Sequence, residues 1–146
     1  MQAPDGDYET RVRSSFDKQR FMTTIGATLS RVQPGEVAID LEYRDDLVQQ
    51  HGFLHAGVVA AIVDSACGYA ALTLMRPGTA VLTVEYKVNL LAPAQGQAFR
   101  AHGRVVRSGR TITVCTGDVS VVETGSTIAV MQATMIAVDA RDDRRD

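Results

Sequence analysis

The sequence predicts an α+β fold: one long central helix wrapped by a curved antiparallel sheet of five to six strands, preceded by an N-terminal helix. Three observations predict it. The stretch Ala56 to Met75 is apolar on every side of a helix and so must be covered on every side. Around it lie several segments that alternate or run apolar, separated by turn residues, as strands do. Finally, 146 residues with 45% apolar and 22% charged side chains supply one sizeable core and no obvious second unit, so residues 1–146 are read as a single domain.

Taken in order, Tyr8 to Met22 carries charge at most positions, with Val12, Phe16 and Met22 forming a weak apolar face, and reads as an N-terminal helix over 8–22. Pro34-Gly35 separates two strands, Thr28 to Val32 and Glu36 to Tyr43, as a tight hairpin turn would. Arg44 to Leu54 reads as a loop. The central helix follows, and Arg76-Pro77-Gly78 stops it. Its many small residues, Ala56, Gly57, Ala60, Ala61, Ala66, Gly68, Ala70 and Ala71, would let the sheet or a second subunit approach closely.

Beyond the helix, Leu82, Val84, Tyr86, Val88 and Leu90 alternate with Thr83, Glu85, Lys87 and Asn89, which predicts a half-buried strand. Two long strands, Gln97 to Arg107 and Arg110 to Val122, are expected to join at Ser108-Gly109, with the glycine at positive φ. Thr124-Gly125-Ser126 makes the next turn, and a last strand runs from Ile128 to Val138. The highly charged tail 139–146 is expected to be disordered. An antiparallel sheet curled around one helix is the hotdog fold.

Asp64 is the residue that pattern does not explain. It stands alone inside the apolar helix, where an unpaired charge is costly. A carboxylate in apolar surroundings gains proton affinity and becomes a candidate base or nucleophile. It also argues against a membrane span, since an aspartate at mid-bilayer costs roughly 2.5 to 3.5 kcal/mol on insertion scales. The alternative is a core aspartate satisfied by backbone or arginine.

The order of a loop, His55-Ala56-Gly57, a helix carrying Asp64 nine residues after His55, and a strand Leu82 to Leu90 ending in Leu91-Ala92-Pro93-Ala94 resembles the hotdog acyl-CoA thioesterases, in particular the phenylacetate-degradation, PaaI-like branch. The resemblance spans residues 45 to 125. It implies that Asp64 is the catalytic carboxylate, nucleophile or general base. It also implies that Gln49, where the family commonly has Asn, orients water or substrate. In the same way Ala56, where the family has the first glycine of a His-Gly-Gly run, offers a backbone N–H to the thioester carbonyl beside His55 and Gly57. The resemblance further puts Arg107, Ser108, Gly109 and Arg110 near the coenzyme A phosphates, and Thr83 and Glu85 along the acyl pocket or catalytic centre. An ordinary exposed turn and a polar strand face are the plainer accounts of these last six.

Elementary chemistry supports the same roles. A helix N-terminus presents free N–H groups and a positive dipole end where a thioester oxygen gains charge, and Ala56 and Gly57 sit there. At 1.5 Å rise per residue, Asp64 lies about 12 Å along the axis from Ala56, too far to attack a carbonyl bound at its own helix start. Two antiparallel helices across a two-fold axis would bring one aspartate to the other's N-terminus, so a homodimer, further assembled to a tetramer, is expected.

Other constellations are weaker. His51 and His55 have metal-helix spacing but lie in a loop with no acid between them, so no metal is expected. Ser65 lacks the glycines of a nucleophile elbow, Cys67 reads as a packing residue, and His102 as an outward strand residue. A net charge of −2 without a basic stripe excludes nucleic acid as a partner class. Two cysteines and a polar Met1 to Thr10 fit a cytoplasmic protein. The expected function is hydrolysis of an acyl-CoA, with a small aryl or medium-chain acyl group and no cofactor beyond the coenzyme of the substrate. The alternatives are a dehydratase or hydratase of the same fold, or a non-catalytic acyl-CoA-binding module.

Overall fold

The computed structural model describes residues 1–140. Its elements are α1 (Tyr8–Lys18), α2 (Arg20–Ile25), β1 (Thr28–Gln33), β2 (Glu36–Glu42), α3 (Ala56–Leu72), β3 (Thr79–Leu90), β4 (Ala98–Ser108), β5 (Ile112–Val121) and β6 (Thr127–Asp139). The six strands form one sheet in the order β1-β2-β4-β5-β6-β3, with every neighbouring pair antiparallel. α3 lies across one face and touches β2, β3, β4, β5 and β6. This is the hotdog architecture expected.

The helix is seated by two glycines on the sheet. Gly103 on β4 and Gly117 on β5 are cross-strand partners. A Cβ at Gly103 would collide with the Ala66 backbone, and one at Gly117 would fall 2.6 Å from Val63 Cγ2 and 2.9 Å from Cys67 Sγ. Val63, Ala66 and Cys67 are fully buried at this contact. The small residues of α3 thus account for only half of the close approach. Gly68, counted among them from sequence, faces away: a Cβ there meets nothing within 4 Å.

The N-terminal helix is two helices, not one over 8–22. Gln19 is extended (φ −79°, ψ 93°) and separates α1 from α2. The reason is phase. Phe16 and Met22 are six residues apart, which puts them on different faces of a continuous helix, and the break lets both reach the core with Val12 and Ile25. The Pro34-Gly35 turn forms as expected, with Gly35 at φ +80° between the paired Gln33 and Glu36.

The β4–β5 turn differs. Gly109 is not among the positive-φ glycines. Its N–H donates to Ile112 O, so the two central residues are Arg110 and Thr111. Glycine is required at 109 for another reason: a Cβ would stand 2.7 Å from that same carbonyl oxygen. At the C-terminal end Asp139 is the last residue of β6, and the Ala140 N–H donates to Gly78 O at 2.9 Å, so the expected disorder does not begin at 139. The remainder of that tail, 141–146, lies outside the described residues. No helix among the described residues is long and apolar enough to cross a membrane.

The strand after the helix departs most from its alternation. A register shift between Thr83 and Glu85 marks a β-bulge. Before it Thr83 pairs Met135, and beyond it Tyr86, Val88 and Leu90 pair Ala133, Met131 and Ala129, all buried residues of the helix-facing side. Opposed residues share a face, so the apolar half of β3 swaps sides at the bulge. Tyr86 and Leu90 nevertheless remain 44% and 54% exposed, and Leu82 and Val84 on the other stretch 57% and 55%. β3 is an edge strand, and among the described residues no strand pairs with its outer side.

Candidate active site

Asp64 lies in the middle of α3 and is half-buried. Its Oδ1 accepts a hydrogen bond from Thr83 Oγ1 at 2.8 Å. Burial raises its proton affinity above the usual carboxylate range, and the Thr83 hydroxyl offsets part of that rise. Among the described residues Thr83 is its one hydrogen-bond donor, and no arginine or backbone N–H pairs with it. Asp64 and Thr83 open into a cavity of about 770 Å³ between α1, α3 and the first residues of β3.

The cavity's far wall was not foreseen from sequence. Gln19, freed from helix geometry at the α1–α2 break, donates from Nε2 to Ser65 Oγ at 3.3 Å. The Tyr69 hydroxyl donates to Gln19 Oε1 at 3.3 Å, and Ser15 Oγ–H to the Tyr69 oxygen at 3.4 Å. Tyr69 also meets Phe16 edge to face, with ring centroids 5.8 Å apart. This chain fixes α1 and the elbow after it beside Asp64. Tyr69 lies on the same side of α3 as Ser65, a helical repeat visible in sequence, whereas Gln19 carries no sequence signal because its place depends on a tertiary break.

The other site residues gather at the start of the same helix. His55 is its N-cap, and His55 Nδ1 accepts the Gly57 N–H at 2.8 Å. That bond withdraws Gly57 as a donor for anything else. Ala56 N–H donates to no group among the described residues, which leaves it as the free amide at the positive end of α3. Alanine serves there without strain, because it is not at positive φ, as no described non-glycine residue is.

Gln49 sits in the preceding turn, its backbone N–H on Phe53 O and its Oε1 accepting the His51 N–H, so only its amide NH2 remains to donate outward. Gln49 and Ala56 border a second cavity of about 450 Å³ lined by Phe53, Val59, Leu90, Leu91 and Pro93.

The structure therefore sorts the candidate residues into two places on one chain. Asp64 and Thr83 share one cavity, and Gln49 and Ala56 share the other. Glu85 joins neither: it pairs Thr134 across the strand, accepts that residue's hydroxyl hydrogen bond, and lies beyond the bulge on the face opposite Thr83. Arg107, Ser108, Gly109 and Arg110 are exposed and border neither cavity. Ser108, Thr113, Met135 and Thr83 form one row across β4, β5, β6 and β3, so the turn stands three strand spacings, about 14 Å, from Thr83.

Cys67 and Cys115 are buried with their thiols pushed up, Cys115 to about 12, and so are not thiolate nucleophiles. His102 Nε2 lies 3.4 Å from Glu36 Oε2, on the side of β4 away from α3. Among the described residues no three His, Cys, Asp or Glu side chains converge into a metal-binding group.

The family model for the thioesterase superfamily matches residues 51–121. Among solved structures, a thioesterase family protein from Silicibacter pomeroyi is 47% identical, with a TM-score of 0.88 over 91% of this chain and 99% of that one. A relative from Halobacterium salinarum is 30% identical over 137 residues, 90% of this chain and 88% of its own length. Human acyl-coenzyme A thioesterase 13 is 27% identical over 120 residues, 81% of this chain and 85% of its own length. With a Saccharolobus solfataricus protein the chain shares 30% identity over 83 residues and spans 59% of that relative's length.

Proposed function

The chain belongs to the thioesterase superfamily and is a thioester hydrolase; from that premise we propose that it cleaves acyl-CoA thioesters with a small aryl or medium-chain acyl group, at a site completed by a second copy of itself. One observation carries the reading. The carboxylate and the free amide that the chemistry needs open into two separate cavities on one chain, on the same helix but about 12 Å apart along its axis. One chain holds both parts of the machinery and cannot bring them to one carbonyl.

A second copy resolves this. β3 offers twelve residues of free edge with exposed apolar side chains, a surface that a monomer would have to protect and that an antiparallel copy would cover. Pairing of β3 with its copy about a two-fold axis sets the two α3 helices antiparallel. The Ala56 end of one then meets the Asp64 cavity of the other, twice per dimer.

In each site the Ala56 N–H and the Gln49 amide hold the thioester oxygen as it gains negative charge. Deprotonated Asp64 either takes a proton from water as that water's oxygen bonds to the carbonyl carbon, or attacks the carbon itself to give an anhydride that water then opens. In both routes the carbon–sulfur bond breaks and coenzyme A leaves as thiolate to be protonated. The relative named acyl-coenzyme A thioesterase supports the substrate class. Arg107 and Arg110, at the Thr83 end of the sheet, are the cations we assign to the coenzyme phosphates.

Mixing of two inactive variants tests the composite site. Ala56→Pro removes one N–H at the first helical position, where proline fits, after a His55 already extended at φ −60°, ψ 136°. Asp64→Asn removes the base. Each alone should release almost no thiol from phenylacetyl-CoA or octanoyl-CoA. A refolded equimolar mixture should recover about a quarter of native turnover, because half the dimers hold one intact site of two. An active monomer, or no recovery in a mixture shown to contain heterodimers, overturns the two-chain site. Native protein that turns over no thioester overturns the assignment of substrate.

A further inference from the structure

The geometry points to Gly68 as the residue that sets how large an acyl group this enzyme accepts, with the acyl group lying along α3 from Asp64 toward Leu72. The inference rests on the acyl-CoA reading above and deepens it.

Asp64, Gly68 and Leu72 are spaced i, i+4 and i+8, so they form one stripe of the helix, and all three line the larger cavity. The stripe is about 12 Å long at 1.5 Å rise per residue. Gly68 is its middle, and among the described residues a Cβ there meets nothing within 4 Å, so the missing side chain is open space rather than a seat for another backbone. This contrasts with Gly103 and Gly117, where a Cβ would strike α3. Glycine in a helix interior is unfavourable by roughly 0.5–1 kcal/mol relative to alanine. No turn, positive φ or close contact requires it at position 68.

The opposite wall does not collapse into that space. It is held off by the Ser15–Tyr69–Gln19–Ser65 hydrogen bonds and by the first residues of β3. A carbonyl positioned for Asp64 has two substituents to accommodate, the acyl group and the pantetheine arm, one in this cavity and one on the other side. The space at Ala56 is lined by Gln49, Phe53 and Leu91, and the space at Gly68 by residues of α1, α3 and the first part of β3. The part of the substrate that varies is assigned to the larger of the two spaces, about 770 Å³ beside Gly68 against about 450 Å³ at Ala56.

Gly68→Leu and Gly68→Ala tell the two substituents apart. Thiol release is followed for butyryl-, octanoyl- and phenylacetyl-CoA, with folding checked by circular dichroism. With the acyl group in this cavity, Gly68→Leu should keep butyryl-CoA kcat/KM within about 3-fold of native while octanoyl- and phenylacetyl-CoA fall by at least about 10-fold. Gly68→Ala, which adds one methyl into open space, should show the same ranking more weakly, and it stands alone if the leucine variant does not fold. An equal loss for all three thioesters in folded protein means that the pantetheine arm lies here and overturns the inference, as does an unchanged profile in both variants. Each of these leaves thioester hydrolysis by the native protein standing, whereas failure of the acyl-CoA reading shows as no turnover by native protein at all.

Discussion

α3 has two unlike sides. Toward the sheet it is pressed so closely that Gly103 and Gly117 have no room for a methyl group, and Val63, Ala66 and Cys67 are sealed against them. Toward α1 the same helix carries a carboxylate, a tyrosine hydroxyl and a glycine where an added methyl group would meet none of the described residues. The close side supplies the packing enthalpy and apolar burial that hold the fold. The open side costs stability, through a partly buried carboxylate and a helical glycine. Together the two show a helix anchored on one face and underpacked on the other, the face to which the proposed chemistry is assigned.

That contrast can be tested, beginning with the largest effect. Asp64→Asn should lower kcat by about 10²–10⁴-fold, the range for loss of a general base, in steady-state thiol-release assays. The same variant should be more stable than native protein at pH 7. Because the native carboxyl binds its proton more tightly than the unfolded one, native stability falls as pH rises from the unfolded pKa through the raised folded one. The Asn gain in melting temperature should therefore be present at pH 7 and vanish as pH drops below the unfolded carboxyl range near 3.9. A variant no more stable than native protein at pH 7 would break the claim that the open side is the costly one.

Ala56→Pro should cost about 10²–10³-fold in kcat, with the helix intact by circular dichroism, since one oxyanion donor is lost. On the close side, Gly103→Ala should lower stability by about 1–3 kcal/mol in urea unfolding, because the added methyl runs into Ala66 backbone that cannot rotate away. Thr83→Val sharpens the account of Asp64. It removes the hydrogen bond that offsets burial, so the acidic limb of the kcat profile should move to higher pH. The smallest effect is Gly68→Ala, which should stabilise by about 0.5–1 kcal/mol in the same urea assay. Equal stability changes at Gly68 and Gly103 would erase the difference between the two sides.

Much of this was legible in the chain. Asp64 was conspicuous because nothing else in the central helix is charged, and Ala56 because it opens that helix. Strand periodicity located all six strands to within a few residues of their bounds. It failed at β3, where one bulged residue reverses which side chains face the helix, and local alternation cannot report a bulge. Glu85 was drawn toward Thr83 by that failure. The Ser108-Gly109 turn was displaced by two residues because a glycine required for close approach looks the same in sequence as one required for positive φ. The break at Gln19 was hidden because Val12, Phe16 and Met22 can be read as one loose apolar face until the core shows that two separate helices place them.

By itself the sequence determined the fold class, the order of the strands and central helix, and the two candidate groups on α3, Asp64 and Ala56, because hydrophobic period, turn residues and an isolated charge are local properties of the chain. Only the tertiary structure decided which glycines hold the helix and which leaves space, that Thr83 and not Glu85 meets Asp64, and that the carboxylate and the free amide open into different cavities. Those are relations between segments far apart in the chain. They are set by how side chains share volume and hydrogen bonds once the sheet has closed on the helix, and no window of sequence contains them.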